Sequence, residues 1–386
     1  MRASALIFLL VAVAACSAAR TFDSKLSLEL DTAVEDAPVK KSGNKFGTGH
    51  ILVDKLKRKG KRMSELVYLP GHTKREDYSS PLPSTYVQLE DLPEEFTWAN
   101  VSGQSHLIFH FNQHIPQYCG SCWLHGGMST YADRLKIARG NRGTDIIPSR
   151  QFVLNCGSEM AGSCHGGSAT GLYQFIKSVG YIPYESCLPY EACSAESEEG
   201  VCPQGDYTCK PINICRTCDT YKSAGGTCRE IEMFPNATVA EYGTVEGEEN
   251  MMKEIYARGP IACPIDATPL EEEYAGGIIV NDTTAGTDHI VEIIGWGTDK
   301  ETGLKFWHVR NSWGEYWGEL GFFRIERGRN LLKIEKDCAW VTPGKWTEVN
   351  YPCWETGKNC VHNNDFVDPS QKVKKGAPLD KPPALM

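Results

Sequence analysis

The chemistry of this chain centres on a Cys-x-x-Cys pair, Cys119 and Cys122, which Trp123 follows. Such a pair can be a redox site, half of a zinc site, or a disulfide cysteine beside a nucleophile. No strand of the kind that precedes a redox pair leads into it, and the second pair that zinc would need, Cys215 and Cys218, lies in a cysteine-rich loop. We therefore favour the third interpretation, in which Cys122 is a nucleophile.

The residues after Cys122 predict a helix. Apolar residues recur there at steps of three and four, at Leu124, Met128, Tyr131, Leu135 and Ala138. This spacing predicts an amphipathic helix that begins at Cys122. A thiol attacks as its thiolate, which a helix N-terminus and a cationic histidine both stabilise. The nucleophile therefore requires a histidine from elsewhere in the chain.

His289, at the start of a predicted strand, is the histidine that suits this role. Taken alone, a histidine in such a place is more often a structural residue. The segment that begins at Asn311 changes this interpretation, because Asn311 supplies an amide to hold one imidazole nitrogen and Trp313 an indole to cover that contact. Cys122, His289 and Asn311, in this order, form a set suited to nucleophilic catalysis.

The segment Cys119-Gly120-Ser121-Cys122-Trp123, together with His289 and Asn311, resembles the papain family of cysteine peptidases over about residues 92 to 342. This resemblance implies an α+β fold of two lobes: a helical lobe carries the nucleophile, a β-barrel-like lobe carries the histidine and asparagine, and the cleft lies between them. It also implies that peptide bonds are hydrolysed through an acyl-enzyme, for which we expect neither a metal nor a cofactor. Short apolar runs broken by glycine, from Ile261 onward, independently predict the strands.

The segment from Asn112 to Cys119 resembles a branch of the family that has an extra His-Ile-Pro before the cysteine pair. By this resemblance Gln113 supplies the side-chain amide of the oxyanion hole beside the backbone N–H of Cys122, with Gln117 as an alternative by proximity. The inserted His114 would bind the free C-terminal carboxylate of the substrate, which implies a carboxypeptidase that is most active at acid pH. The alternatives are an endopeptidase in which His114 is structural, and a binding protein that kept the fold without the activity.

Two further features of the substrate cleft follow from the resemblance. Gly166 and Gly167 match paired glycines that let the substrate backbone approach closely, whereas an ordinary disulfide turn would account for Cys164 but not for the pair. The resemblance also assigns Trp313 to the substrate-binding site.

The chain departs from the family in three places, one of which is the extra segment after Trp346. Leu124 and the pair Gly126-Gly127 replace the usual small and hydroxyl residues, which predicts altered helix packing near the nucleophile. The segment before the catalytic domain has no cysteine that could cap the active-site thiol. Latency is therefore predicted to be steric rather than covalent.

The cysteine count predicts an oxidising compartment. Cys16 belongs to an apolar leader typical of a secretory signal, so 15 of the 16 cysteines remain, enough for seven disulfides and one free thiol. The resemblance implies five pairs: Cys119 with Cys164, Cys156 with Cys209, Cys187 with Cys215, Cys218 with Cys228, and Cys263 with Cys338. The other four would pair locally, as Cys193 with Cys202 and Cys353 with Cys360.

The chain also contains three Asn-x-Ser/Thr glycosylation sequences, at Asn100, Asn236 and Asn281, which a protein in the secretory pathway could use.

The chain divides into four predicted segments. These are a signal peptide at 1–19, a prosegment at 20–91, a papain-like catalytic domain at 92–345 and a C-terminal extension at 346–386. The net charge of -9 argues against a nucleic-acid partner, and no segment after the leader is long and apolar enough to span a membrane. We expect a monomer that acts on peptides or proteins with a free C-terminus, in a lysosome, in a vacuole or outside the cell.

Overall fold

The computed structural model describes residues 63–271, 274–283 and 285–348. The predicted signal peptide and the Cys353–Cys360 pair lie outside the described residues. Within the described part of the chain, no helix has the length and apolar character needed to cross a membrane.

Helices and strands alternate irregularly along the described chain. The helices are α1 (Cys122–Ala138), α2 (Arg150–Cys156), α3 (Ala169–Val179) and α4 (Glu248–Arg258). The strands are β1 (Phe96–Thr97), β2 (Gly162–Ser163), β3 (Gly166–Gly167), β4 (Ile182–Pro183), β5 (Arg216–Cys218), β6 (Cys228–Glu230), β7 (Asn236–Val245), β8 (Ile261–Ile265), β9 (Ile278–Ile279), β10 (His289–Thr298), β11 (Lys305–Arg310), β12 (Phe322–Glu326) and β13 (Cys338–Trp346).

Most of the longer strands belong to one sheet. Its order is β4-β7-β13-β8-β10-β11-β12-β9, with β1 paired to β10. The β12–β9 pair is parallel and the other pairs of this sheet are antiparallel. The glycine-broken apolar runs after Ile261 form β8, β10, β11 and β12, so the prediction of strands there is confirmed.

The buried side chains of the described residues form two large clusters. The first joins α1, α2 and α3 to the β4–β7 side of the sheet and contains Trp123, Phe152 and Tyr173. The second joins α4 to β8 and β10–β13 and contains Trp307 and Trp340. Burying each such side chain contributes about 1.5–3 kcal/mol to stability. The two cores confirm the predicted two-lobed α+β fold.

Helix α1 begins at Cys122, as predicted, but its surroundings differ from the prediction. Every residue from Cys122 to Leu135 is buried, because α1 packs on the sheet through β10 and β13 and on α3. The prediction of an amphipathic helix is therefore wrong for most of its length. Because α1 is covered on several sides it has no exposed polar face over this length, and it buries polar residues such as Asp133 and Arg134 together with the apolar ones.

Gly126 and Gly127 allow this close packing of α1. A β-carbon at Gly126 would lie 3.0 Å from Ile290 Cγ2, and one at Gly127 would lie 2.9 Å from Leu172 Cδ2. Each glycine costs about 1 kcal/mol of helix stability relative to alanine. The cost is offset because α1 can approach β10 and α3 closely, which places Cys122 beside the strand that begins at His289.

Two histidines make the stability of the fold dependent on pH. The rings of His110 and His308 lie 4.5 and 5.1 Å from the ring of Phe322. Burial lowers the pKa of His308 to about 4, and burial together with the Arg310 guanidinium lowers the pKa of His110 to about 4. The unfolded chain, where a histidine has a pKa of about 6.5, therefore binds protons first as the pH falls. Acid should weaken the fold between about pH 6.5 and pH 4.

We expect the free energy of unfolding to decrease by about 2 kcal/mol across this pH window, after allowance for solvent screening at two half-buried sites. Urea unfolding of the wild type and the His308→Phe variant at a series of pH values measures it. The variant should show a shallower decrease, whereas His165→Gln, at an exposed histidine, should match the wild type. Equal slopes for the wild type and His308→Phe would contradict the prediction.

Candidate active site

The Cys122 thiol lies at the N-terminus of α1 and is fully buried. The backbone N–H of Ile290 on β10 donates to Cys122 Sγ at 3.3 Å. The sulfur and a ring nitrogen of His289 lie within 4.8 Å of each other. The structure thus brings the predicted nucleophile and its predicted base together, at a helix N-terminus whose dipole favours a thiolate.

His289 is held by Asn311, the residue that follows β11. The Nε2–H of His289 donates to Asn311 Oδ1 at 2.8 Å, and the Ser312 backbone N–H donates to the same oxygen at 2.8 Å. The Trp313 ring packs against the imidazole, with centroids 5.0 Å apart, and is nearly buried. This arrangement leaves Nδ1 for the side of the thiol and keeps water from the His–Asn contact.

A buried ion network fixes the strand that precedes Asn311. Arg310 donates to Glu292 on β10 at 2.6 Å and to Asp133 on α1. Asp133 also accepts a hydrogen bond from the Ile108 backbone N–H at 2.7 Å. Removing one member of such a network leaves an uncompensated buried charge. The network therefore ties α1, β10 and β11, the three elements that carry the predicted triad, to one another.

The side-chain amide of Gln113 is directed into the same site. Gln113 is fully buried, and its Nε2 donates to the Cys119 carbonyl at 3.2 Å and to Glu65 Oε2 at 2.9 Å. Its Oε1 accepts the Ser312 hydroxyl at 2.7 Å, which fixes the orientation of the amide. One N–H group therefore points to the Glu65 carboxylate, an oxygen of which lies within 4.8 Å of Cys122 Sγ.

Gln117 lies elsewhere. Its Nε2 donates to the Ala192 carbonyl at 3.4 Å and contacts Cys202 Sγ, while its Oε1 accepts from the Val201 backbone N–H at 2.9 Å. These contacts place its amide in the loop closed by the Cys193–Cys202 disulfide. Of the two glutamines considered from the sequence, the geometry therefore favours Gln113 as the oxyanion donor.

His114 and Tyr118 form a stacked pair next to Gln113. Their ring centroids are 4.6 Å apart and their planes differ by 10°. His114 is half-buried, and Tyr118 is exposed at the rim of the site. The Tyr118 hydroxyl donates to Glu65 Oε1 at 2.6 Å. Sequence reasoning missed Tyr118, although its place in the inserted loop, directly before Cys119, was a signal that could have found it.

Gly166 and Gly167 form the short strand β3, and another part of the chain pairs with it. The Gly167 N–H donates to the Glu65 carbonyl at 3.1 Å, and its carbonyl accepts from the Val67 N–H at 3.0 Å. A β-carbon at Gly166 would lie 2.7 Å from Val67 Cγ2, and Gly166 has a φ of +117°. The pair therefore allows a close approach of backbone, and the predicted role of both glycines in substrate binding stays a prediction. Its occupant here is the segment Glu65–Val67.

Glu65 is a site residue that sequence reasoning missed. Its side chain is buried beside Cys122 and His289, with Glu65 Oε2 4.0 Å from His289 Nδ1. The chain has 49 acidic residues, and no local motif marks this one. No signal in the sequence could have placed it there.

The cysteines of the described residues form six disulfides and leave Cys122 as a free thiol. The bridges are Cys119–Cys164, Cys156–Cys209, Cys187–Cys215, Cys193–Cys202, Cys218–Cys228 and Cys263–Cys338. Each matches a pair expected from the sequence. Because Cys119, Cys215 and Cys218 are all bonded to other partners, they form neither a redox pair with Cys122 nor a zinc site.

The three predicted glycosylation sites differ in exposure. Asn100 is exposed, and its Oδ1 accepts from the Gly103 backbone N–H at 3.0 Å. Asn236 is half-buried at the start of β7 and donates to the Phe234 carbonyl at 3.2 Å. Asn281 is also half-buried. Exposure therefore favours Asn100 as the site that a glycosylating enzyme would reach.

Comparison with known proteins agrees with this geometry. The family described as "Papain family cysteine protease" matches residues 92–342. Cathepsin Z of Onchocerca volvulus is 41% identical over 261 residues, which cover 66% of this chain and 79% of that protein. A gut-specific cysteine proteinase of Caenorhabditis elegans is 31% identical over 226 residues, 56% of this chain and 64% of its own length.

The fold has a solved counterpart. Digestive procathepsin L2 proteinase from the larval midgut of Tenebrio molitor superposes with a TM-score of 0.54 at 22% identity, over 72% of this chain and 78% of that one. A likeness at this identity concerns the fold alone. Together with the family match, the buried thiol and the His289–Asn311 pair, it leads to one conclusion: this chain belongs to the papain family of cysteine proteases.

Proposed function

We propose that this cysteine peptidase is a carboxypeptidase that removes single residues from the C-terminus of peptides. The position of His114 carries the proposal, because this residue directly follows Gln113 and stacks on Tyr118 at the rim of the site. One residue of extended substrate spans only about 3.5 Å. An imidazole next to the oxyanion donor is therefore well placed for a carboxylate one residue beyond the scissile bond. The similarity to a cathepsin Z supports the same branch of the family.

The proposed mechanism uses four side chains. The Cys122 thiolate attacks the carbon of the scissile carbonyl group. The carbonyl oxygen then gains negative charge, which Gln113 Nε2 and the Cys122 backbone N–H stabilise by hydrogen bonds. His289, oriented by Asn311, gives its proton to the leaving amine, so an acyl-enzyme remains. Water then hydrolyses the acyl-enzyme, with His289 as the general base.

Replacing His114 with alanine should reduce kcat/KM about 10- to 100-fold for a peptide with a free C-terminus, since a charge-assisted contact to the carboxylate is lost. The same variant should cleave the C-terminal amide of that peptide at nearly the wild-type rate. For the wild type, the preference for the free acid should grow as the pH falls, because protonation makes His114 cationic.

His165→Ala, at an exposed histidine, is the control and should keep the wild-type preference. Equal wild-type rates on the free acid and on the amide would overturn the carboxypeptidase proposal. They would favour an endopeptidase of the same fold, in which His114 only supports the loop.

We also infer that residues 20–91 act as a removable prosegment, which the placement of Glu65–Val67 against Gly167 supports. The leader at 1–19 and the disulfides support a secretory route to a lysosome, to a vacuole or to the outside of the cell. Mass spectrometry of the matured protein, giving its first residue and any glycan on Asn100, would test both inferences. A mature N-terminus far from residue 92 would contradict the prosegment boundary.

A further inference from the structure

Glu65 has two hydrogen-bond donors on its carboxylate. Gln113 Nε2 donates to Oε2 at 2.9 Å, and the Tyr118 hydroxyl donates to Oε1 at 2.6 Å. Both distances are typical of charge-assisted bonds. The side chain is only 3% exposed, and a carboxylate is this deeply buried only where such donors compensate its lost hydration.

The backbone around Glu65 is fixed to both walls of the site. Its N–H donates to the Asp288 carbonyl at 3.0 Å, directly before His289. On the other wall, its carbonyl accepts from Gly167 at 3.1 Å and the Val67 N–H donates back at 3.0 Å. The Glu65 side chain is therefore directed towards Gln113 by main-chain bonds on either side of it.

A second anchor follows in the same segment. The Tyr68 hydroxyl donates to Asp337 Oδ2 at 3.0 Å, and Arg75 forms an ion pair with the same carboxylate. Burial, with the Asp337 charge, raises the pKa of Tyr68 to about 12, so its hydroxyl remains a donor at physiological pH. Residues 64–75 are thus attached at both ends, and Glu65 lies at the end that reaches the thiol.

The position of the carboxylate is that of a reacting group. Glu65 Oε2 takes the Gln113 N–H that would otherwise stabilise an oxyanion, and one oxygen of the same carboxylate lies within 4.8 Å of the Cys122 sulfur. Donors arranged for a developing negative oxygen bind a full negative charge well. A carboxylate carbon is a poor electrophile, so this group occupies the site without being cleaved.

We propose that Gln113 and Tyr118 form a carboxylate-binding site beside the thiol, and that Glu65 of the same chain fills this site and keeps the peptidase latent. The proposal rests on the proposed function, in which Gln113 is the oxyanion donor and residues 20–91 are removed. It assigns to Tyr118 a binding role, and it gives the predicted steric latency a specific chemical contact. The ligand class is a carboxylate, which Glu65 supplies from within the chain.

The first test measures how fast a thiol-directed epoxide labels Cys122 in the intact chain. Glu65→Gln keeps the shape of the side chain but removes its charge and places an NH₂ group against one of the two donors. We expect Glu65→Gln and Tyr118→Phe to be labelled about tenfold faster than the wild type, or more. Glu90→Gln, the same exchange at an exposed glutamate in this segment, should match the wild type.

The matured enzymes separate this inference from the proposed function. With the prosegment and Glu65 removed, Cys122 of the matured wild type should be labelled faster than Cys122 of the intact wild type. If the matured wild type neither labels nor cleaves peptides, the proposed function fails. The other outcome is that the matured wild type does both, while Cys122 of intact Glu65→Gln is labelled as slowly as Cys122 of the intact wild type. In that case the proposal that Glu65 keeps the peptidase latent is wrong, and the proposed function stands.

The second test does not depend on the folding of any Glu65 variant. An acetylated and amidated peptide of residues 63–69 should inhibit the matured enzyme, and its inhibition constant should be about tenfold lower than that of the same peptide with Gln in place of Glu65. The matured Tyr118→Phe enzyme should lose most of this difference. Equal inhibition of the wild type by the two peptides would overturn the proposal.

Discussion

Replacing Cys122 with alanine is expected to lower kcat/KM for peptide hydrolysis by about 10⁴-fold or more. The chemistry has no substitute for this thiol, since the other cysteines of the described residues are bonded in disulfides. The oxyanion donors and substrate contacts would remain and could support only residual catalysis. The measurement is the steady-state rate of the matured enzyme on a peptide substrate.

The Cys122→Ala variant should fold, because it removes one sulfur from the first turn of α1 and no described disulfide. Binding of the peptide of residues 63–69 would show that its cleft is intact. Peptide hydrolysis at a rate near that of the wild type would exclude Cys122 as the nucleophile. A wild type that neither hydrolyses peptides nor reacts with the epoxide would instead favour a binding protein of this fold.

Replacing Gln113 with alanine should lower kcat by about 10²- to 10³-fold, with a smaller effect on KM. Its amide contacts an oxygen that gains charge in the transition state, so its loss raises the barrier more than it weakens substrate binding. The Cys122 backbone N–H would remain as the second donor. Single-turnover acylation rates of the matured variant would measure the effect directly.

Gln117→Ala is the matched control for Gln113→Ala. Gln117 has the same side chain four residues further along, but it binds the loop of Ala192, Val201 and Cys202. Its replacement should change kcat less than about threefold, because its amide contacts Ala192 and Cys202 rather than the reacting atoms. A large loss of kcat in Gln117→Ala with a normal Gln113→Ala would reverse the two assignments. Thermal midpoints of both variants would identify any loss caused by misfolding.

The sequence by itself was enough to predict the types of catalytic group. A cysteine pair followed by tryptophan, a histidine at a strand start and an asparagine before Ser-Trp-Gly are local patterns, so each can be recognised without coordinates. The disulfide pairs could be predicted from the resemblance for a similar reason, because the spacing of the cysteines can be read directly from the amino-acid sequence. The start of α1 at Cys122 also follows from local periodicity.

Only the tertiary structure decided how the site is occupied. The Glu65–Gln113 contact joins residues 48 positions apart, and the Ile290–Cys122 contact joins residues 168 apart. Periodicity reports which residues of one element share a face, but not what packs on the opposite face, so α1 was mistaken for an amphipathic helix. The choice between Gln113 and Gln117, and the roles of Tyr118 and Glu65, depend on side-chain directions and on a distant segment lying in the cleft. A local stretch of sequence does not specify these side-chain directions or the position of the distant segment, because both are set by the fold as a whole.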